Sequence, residues 1–270
     1  LIADHKSVDK QIHIFNKNDF SYLTSIGNFG EGPEEITVMG CLAIDEAHHQ
    51  LYVSDHAKQK IFSYDMDSVM VDSLYKPQVK TAMNETLFPS EYQYINDTLS
   101  IAVLIKPTST STFNQFLGRW NMNTGEMIPM KYTHPDIQKK RITFAASEKA
   151  GIYVECYTRH DLMTICSLDG ELLYNIYGPD WDGGNGNKLQ SFGTVMIGND
   201  KIFVSYCGED YARDSFPTKI LVFDLEGNYL KTLETGYKIS DCCYDSFNNR
   251  IILSLNDVVQ FAYLDIDGII

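Results

Sequence analysis

Four short strands in a fixed order, returning along the whole chain, constrain this sequence more than anything else in it. The clearest unit begins at Cys41 with CLAID, turns through 46–50, and continues as LYVSD, KIFSYD and VMVDSLY. Apolar and polar residues alternate within each run, and Gly, Asp or Asn ends it. A period of two with abundant aromatic residues, 17 Tyr and 14 Phe, marks strands rather than helices. The four strands of such a unit are called A, B, C and D below.

The same order returns downstream. EYQYI, LSIAVLI, FLGRWNM and MIPMKYT form a second unit, and ITFAAS, GIYVECYT, MTICSL and ELLYNIYG a third. SFGTVMI, KIFVSYC, KILVFDL and YLKTLETG form a fourth, while ISDCCYD, RIILSL and VVQFAYLD begin a fifth. Upstream of Cys41, LIAD, QIHIFN and SYLTSIG read as strands B, C and D of a sixth. Ala3-Asp4-His5 before QIHIFN parallels Ser54-Asp55-His56 before KIFSYD. The C to D turns carry Gly125, Gly170, Gly227 and Gly268, residues suited to positive φ in tight hairpins.

Six such sheets predict one all-β domain over 1–270, a six-bladed β-propeller of four-stranded antiparallel blades. The units fall at about 1–29, 41–75, 90–133, 142–178, 191–236 and 239–270. Six such sheets could stack as a linear array, but radial closure buries both faces of each sheet and shields the inner edge of every blade. Ring closure usually has the two termini share a blade, so the missing strand A of the first unit and strand D of the last are expected to have lain upstream of Leu1 in the native precursor, or to be left incomplete.

Lys and Arg number 22 against 36 Asp and Glu, a net charge of −14 with no run concentrating the excess. Such a surface repels nucleic acid and anionic lipid. No stretch reaches 18 apolar residues, so no transmembrane segment is expected, and residues 1–10 lack the pattern of a signal peptide. Cys41, Cys156, Cys166, Cys207, Cys242 and Cys243 show no CxxC spacing. They are expected to be mostly free thiols, with Cys156 and Cys166 on opposite faces of one hairpin.

The segment IGNFGEGPEEI at 26–36 resembles the Gly-x-Gly-Pro-x-Glu connector between blades of TolB-like and NHL-like six-bladed propellers of Bacteroidetes cell envelopes. Tyr177-Gly178-Pro179 is a degenerate second copy. The resemblance implies a six-bladed ring and an extracytoplasmic, often lipid-anchored location in the periplasm or at the cell surface. It implies no particular activity.

In an up-and-down blade the B to C and D to A connections share one end, and the A to B and C to D turns the other. The first set holds the long loops 27–40, 76–89, 106–115, 179–190 and 208–219, whereas the second stays short. Long loops on a rigid scaffold are where binding resides. Their acidic and aromatic residues nominate Glu31, Glu34, Trp181, Asp182, Asp210, Tyr211, Arg213 and Phe216 as ligand-binding. Rings would stack on a sugar or peptide, and carboxylates and the guanidinium would hydrogen-bond to it.

No catalytic residue is nominated. The run from Asp180 to Asn187 lacks the register and closing Glu of a calcium loop, and no nucleophile elbow or phosphate loop occurs. His48 and His49 sit in an A to B turn, His5 and His56 occupy equivalent strand endings, and His160 lies in a B to C connection. Neither a metal nor another cofactor is expected. The sequence therefore suggests a non-enzymatic binding or scaffolding propeller for a peptide, glycan or protein partner. The alternatives are a metal-assisted hydrolase or lyase resembling gluconolactonase propellers, and a structural module of a larger protein.

Overall fold

The computed structural model describes residues 1–109, 111–185, 189–210, 213 and 215–270. These fall into two compact units, Leu1–Pro129 and Met130–Ile270.

The first unit holds three sheets. β1 (Ile2–Ala3), β2 (Lys10–Phe15) and β3 (Tyr22–Asn28) make a three-stranded sheet. β4 (Met39–Asp45), β5 (Gln50–Asp55), β6 (Lys60–Asp65) and β7 (Gln78–Ala82) make a four-stranded one, with helix α1 (Met66–Val71) between its last two strands. β8 (Phe88–Asn96), β9 (Leu99–Pro107), β10 (Phe113–Trp120) and β11 (Met127–Pro129) make the third.

The second unit repeats the plan. Its sheets are β12 (Ile142–Ser147), β13 (Ile152–Tyr157), β14 (Leu162–Ser167) and β15 (Leu172–Tyr177); β16 (Leu189–Gly198), β17 (Lys201–Asp210), β18 (Lys219–Asp224) and β19 (Tyr229–Glu234); and the three strands β20 (Ile239–Asp245), β21 (Arg250–Leu255) and β22 (Phe261–Asp265). Within each sheet the strands pair antiparallel in sequence order. Six sheets of three or four antiparallel strands are the blades of an all-β six-bladed propeller, as the repeat predicts.

Within each unit the cores lie between consecutive sheets. Ile12 and Ile14 of β2 meet Leu51 and Val53 of β5, and Tyr52 and Ile61 meet Tyr92, Leu104 and Trp120. In the second unit Val154 and Ile165 pack on Val195 and Val204, and Phe203 and Val222 on Ile251 and Leu253. The alternation puts these residues on the faces that touch, and each fully buried aliphatic side chain contributes about 2 kcal/mol. Tyr92 meets Trp120 edge to face, with centroids 5.1 Å apart and planes 80° apart.

Two turns follow the sequence signal closely. Asn199 and Asp200, with φ of 48° and 54°, close β16 onto β17 with both central residues in the left-handed region that a two-residue hairpin requires. Gly170 supplies φ of 87° between β14 and β15.

Elsewhere the structure corrects the sequence. VMVDSLY is not strand D of its unit: Asp65 accepts the Ser68 N–H at 2.7 Å and caps a helix there, with Asp67 in the first turn and Val69 buried. Strand D is instead β7, inside the stretch expected to be the loop 76–89. The loop 106–115 shrinks to 108–112, because β9 and β10 pair as far as Phe113 opposite Pro107. MIPMKYT stops at Pro129, which has no N–H to extend the ladder, so 130–141 becomes a long connection that the sequence did not announce. Leu189 and Gln190 pair with Asp210 and Glu209, so the ends of the loops expected at 179–190 and 208–219 belong to β16 and β17. Among the described residues, long connections of the expected parity are 29–38, 130–141 and the stretch from 178 to 185, but the helical 66–77 breaks the rule that C to D turns stay short. All six cysteines are free, and Cys156 and Cys166 face Met163 and Tyr153 across the ladder rather than one another.

Candidate functional site

In the second unit the B to C connection 158–161 and the D to A connection beginning at residue 178 are fastened to one another. Asp161, almost fully buried, accepts the Gly178 N–H through its carbonyl at 2.8 Å and the Asp180 N–H through Oδ2 at 3.0 Å. The chain passes so near that a Cβ on Gly178 would overlap the Asp161 carboxyl group, which is why glycine stands there. Ser191 N–H then donates to Thr158 O at 3.0 Å as β16 begins. Burial pushes the Asp161 carboxyl above its ordinary value and the neighbouring Asp180 adds to this, while the hydrogen bond from Asp180 N–H opposes it.

These segments enclose a cavity of about 350 Å³ lined by Arg159, His160, Asp161, Asp180, Asp182 and Asp210, with Leu189 beside them. His160 is 7% exposed, and its Nδ1 has no hydrogen-bond partner. The nearest charged atom is Asp182 Oδ1 at 3.9 Å, beyond hydrogen-bond reach. Burial holds the His160 imidazole below its ordinary value, and Asp182 pulls the other way.

Beside the cavity stands a group of rings. Trp181 lies 5.1 Å from Tyr177, 5.5 Å from His134 and 6.0 Å from His160, centroid to centroid. His134, buried in the connection 130–141, receives the Asp136 N–H at Nδ1, 3.3 Å away. That bond makes Nδ1 the acceptor of a neutral ring, so Nε2 carries the proton and donates to the Tyr177 hydroxyl at 3.1 Å. Burial lowers the His134 pKa, in keeping with the neutral form.

Behind the rings is a buried charge pair. Lys140, from the same connection, donates to Glu155 Oε1 of β13 at 2.6 Å, and the Tyr157 hydroxyl donates to Glu155 Oε2 at 3.1 Å. Tyr132 accepts from Asn175 Nδ2, and Thr164 donates to Asn175 Oδ1, both at 2.8 Å.

Of the residues nominated from sequence, Asp182 and Asp210 line the cavity and Trp181 belongs to the ring group. Arg213 is exposed and lies 3.7 Å from Glu209, and Phe216 is half-buried after it. Tyr211 lies outside the described residues. Glu31 and Glu34 belong to the first unit, where Glu31 is exposed and Glu34 pairs with Lys76 at 2.7 Å. Sequence reasoning missed His134, Asp161 and Tyr177. Asp161 could have been found as the acidic neighbour of His160, whereas His134 meets Tyr177 across 43 residues of sequence with no local signal.

The first unit has its own organised loop. Lys58 Nζ donates to the carbonyls of Gly30, Gly32 and Glu35 at 3.3, 2.7 and 2.6 Å. Asp55, fully buried, accepts N–H groups from Thr37, Val38, Ala57 and Lys58 at 2.8 to 3.2 Å. In the A to B turns, Asp45, His48 and Asp97 bring ligand atoms within 4.8 Å of one another, a spacing that could hold a metal ion. The Asp45 carboxylate already accepts His48 N–H at 3.2 Å and the Tyr52 hydroxyl at 3.3 Å, and lies 2.8 Å from His48 Nδ1.

Comparison with known proteins agrees on the architecture. Residues 1–118 match the family DUF5128, described as a 6-bladed beta-propeller. A member of the DUF4221 family from Bacteroides vulgatus superposes with a TM-score of 0.60 at 10% identity, covering 94% of this chain and 86% of the other. A protein of unknown function from Bacteroides caccae gives 0.55 at 11%, covering 95% and 86%. The extracellular domain of BT4673 from B. thetaiotaomicron gives 0.56 at 12%, covering 93% of this chain and 31% of that one. At these identities the likeness shows the propeller fold alone. No curated protein matches the sequence. Among the described residues, no helix is long and apolar enough to cross a membrane.

Proposed function

We propose that this propeller is a non-enzymatic binding or scaffolding protein of the cell envelope, which takes a peptide, glycan or protein ligand on the connections 158–161 and 178–185 of its second unit. The observation that carries this reading is Trp181, packed against Tyr177, His134 and His160 at the rim of an acidic cavity. A ring held by other rings loses little freedom when a ligand stacks on it, and neighbouring carboxylates fix the ligand's orientation. An extracytoplasmic location fits the extracellular domain among the similar structures and the TolB-like or NHL-like character of residues 26–36.

The test is to screen the purified protein against peptide and glycan arrays and to repeat the positive spots with Trp181→Ala. Loss of about 1 to 3 kcal/mol of affinity, with a melting temperature nearly unchanged, supports the reading. Ligands held equally well by the variant, or arrays on which nothing is retained, overturn it.

A further inference from the structure

The cavity of the second unit carries a more specific signature. We infer that it receives a guanidinium or ammonium group on an alkyl stem, as presented by an arginine or lysine side chain of a peptide. This inference rests on the binding reading above and names the chemistry of the group that enters. Among the described residues, four carboxylates, Asp161, Asp180, Asp182 and Asp210, line the cavity beside one guanidinium, Arg159, so acidic groups outnumber basic ones on its described walls.

His160 supplies the second, independent observation. Its ring is more than nine-tenths buried, and Nδ1 has no partner. That atom is on the side of the ring where Asp182, another wall residue, stands 3.9 Å away. A buried ring nitrogen left without a hydrogen bond is unfavourable; Nδ1 is covered by its neighbours, and a donor from the cavity satisfies it once the exposed Asp182 side chain beside it turns aside. A neutral imidazole can accept from an N–H while Asp182 accepts from the same cationic group, a pairing that fits a guanidinium fork or a three-donor ammonium.

Size and donor geometry argue against a bare metal ion. The volume of about 350 Å³ is at the low end for organic ligands and far larger than an ion needs. Among the described residues, only Asp45, His48 and Asp97 of the first unit bring three ligand atoms within 4.8 Å of one another, so His160 and Asp182 have no third donor at that range.

The experiment titrates the protein with the blocked pentapeptide acetyl-Gly-Gly-Arg-Gly-Gly-amide, with its citrulline counterpart, which is neutral but of the same shape, and with agmatine as a free cation. Calorimetry gives the affinity, and the fluorescence of Trp181, 6.0 Å from His160, gives a second readout. Saturable binding of the arginine peptide, with the citrulline peptide roughly tenfold weaker or worse, is expected. Asp182→Asn, at a side chain 43% exposed and so not needed for folding, and His160→Gln are each expected to weaken it about fivefold or more.

Agmatine bound as tightly as the peptide still supports a cation pocket and makes a free amine its source. Equal affinity for the citrulline peptide, or no binding of either cation, overturns the inference. So does saturable binding of Zn²⁺ alone that His160→Gln abolishes. If the cations fail while array ligands still depend on Trp181, only the inference falls. If the arginine peptide binds through Asp182 while array ligands ignore Trp181, the inference stands and the ring-stacking part of the binding reading falls.

Discussion

Lys140 Nζ lies 2.6 Å from Glu155 Oε1, with the lysine side chain 8% exposed and the glutamate fully buried. Two charges removed from water hold each other only while both are present. Lys140→Met is therefore expected to destabilise the second unit by about 3 to 5 kcal/mol, since it strands a buried carboxylate. Glu155→Leu added to it should recover much of that loss, because the charge goes with its partner. Urea unfolding of the wild type, the single and the double variant checks this. A single variant as stable as the wild type would contradict it.

A comparable role falls to Asp55 in the first unit. It accepts four backbone N–H groups, two of them from the end of the connection 29–38, and Asp55→Ala leaves all four without that acceptor. A loss of about 3 kcal/mol is expected, with Asp55→Asn milder because it keeps one acceptor oxygen. Hydrogen exchange should show faster exchange first at Thr37 and Val38. Unchanged protection there would remove Asp55 from this role.

Acid should weaken the fold through its buried imidazoles. His134 and His160 in the second unit and His56 in the first are each held below the ordinary imidazole value by burial. The unfolded chain then binds protons more readily, so stability is full above the unfolded value of about 6.5 and is lost as pH falls below it toward the folded values. His49, raised by Asp67, has the opposite sign, but that pair is exposed and screened. The melting temperature is expected to drop between about pH 7 and pH 5, and His134→Gln with His160→Gln to flatten the drop. A profile unaltered by both changes would contradict this.

Thiol chemistry offers a further check. Cys243 is exposed, Cys41 half-buried and the other four buried, all without disulfides. Titration of the native protein is expected to give reaction first at Cys243, slower than at a free thiol because burial pushes its pKa up, and denaturation without reductant to release all six. Fewer than six thiols after denaturation would reveal a disulfide.

Much of the fold was readable because its strands obey one rule. ITFAAS, ISDCCYD and RIILSL coincide with β12, β20 and β21 residue for residue, since alternation and a following turn bound them on both sides. β7 was invisible: QVKTA is short and largely polar, while the β-branched run before it imitated a strand that the Asp65 cap turns into a helix. The site was less readable still. Asp182, Asp210 and Trp181 could be nominated because they sit in loop-like sequence, but their neighbours come from other connections. His134 reaches Tyr177 only because 130–141 folds back, and nothing near residue 134 encodes that meeting.

The grip of Lys58 and Asp55 on the connection 29–38 acts entirely on main-chain atoms, through three carbonyls on one side and the Thr37 and Val38 N–H groups on the other. A segment held that way owes little of its path to its exposed side chains, while Thr37 Oγ1 donating to Gly30 O, Glu35 accepting the Gly32 N–H and buried Ile36 add to the hold. Exposed positions such as Phe29, Glu31 and Pro33 can therefore drift in evolution, or be rewritten in the laboratory, without disturbing the blade that bears them. Here the second blade's aspartate and lysine act as a socket, and the residues it displays are interchangeable.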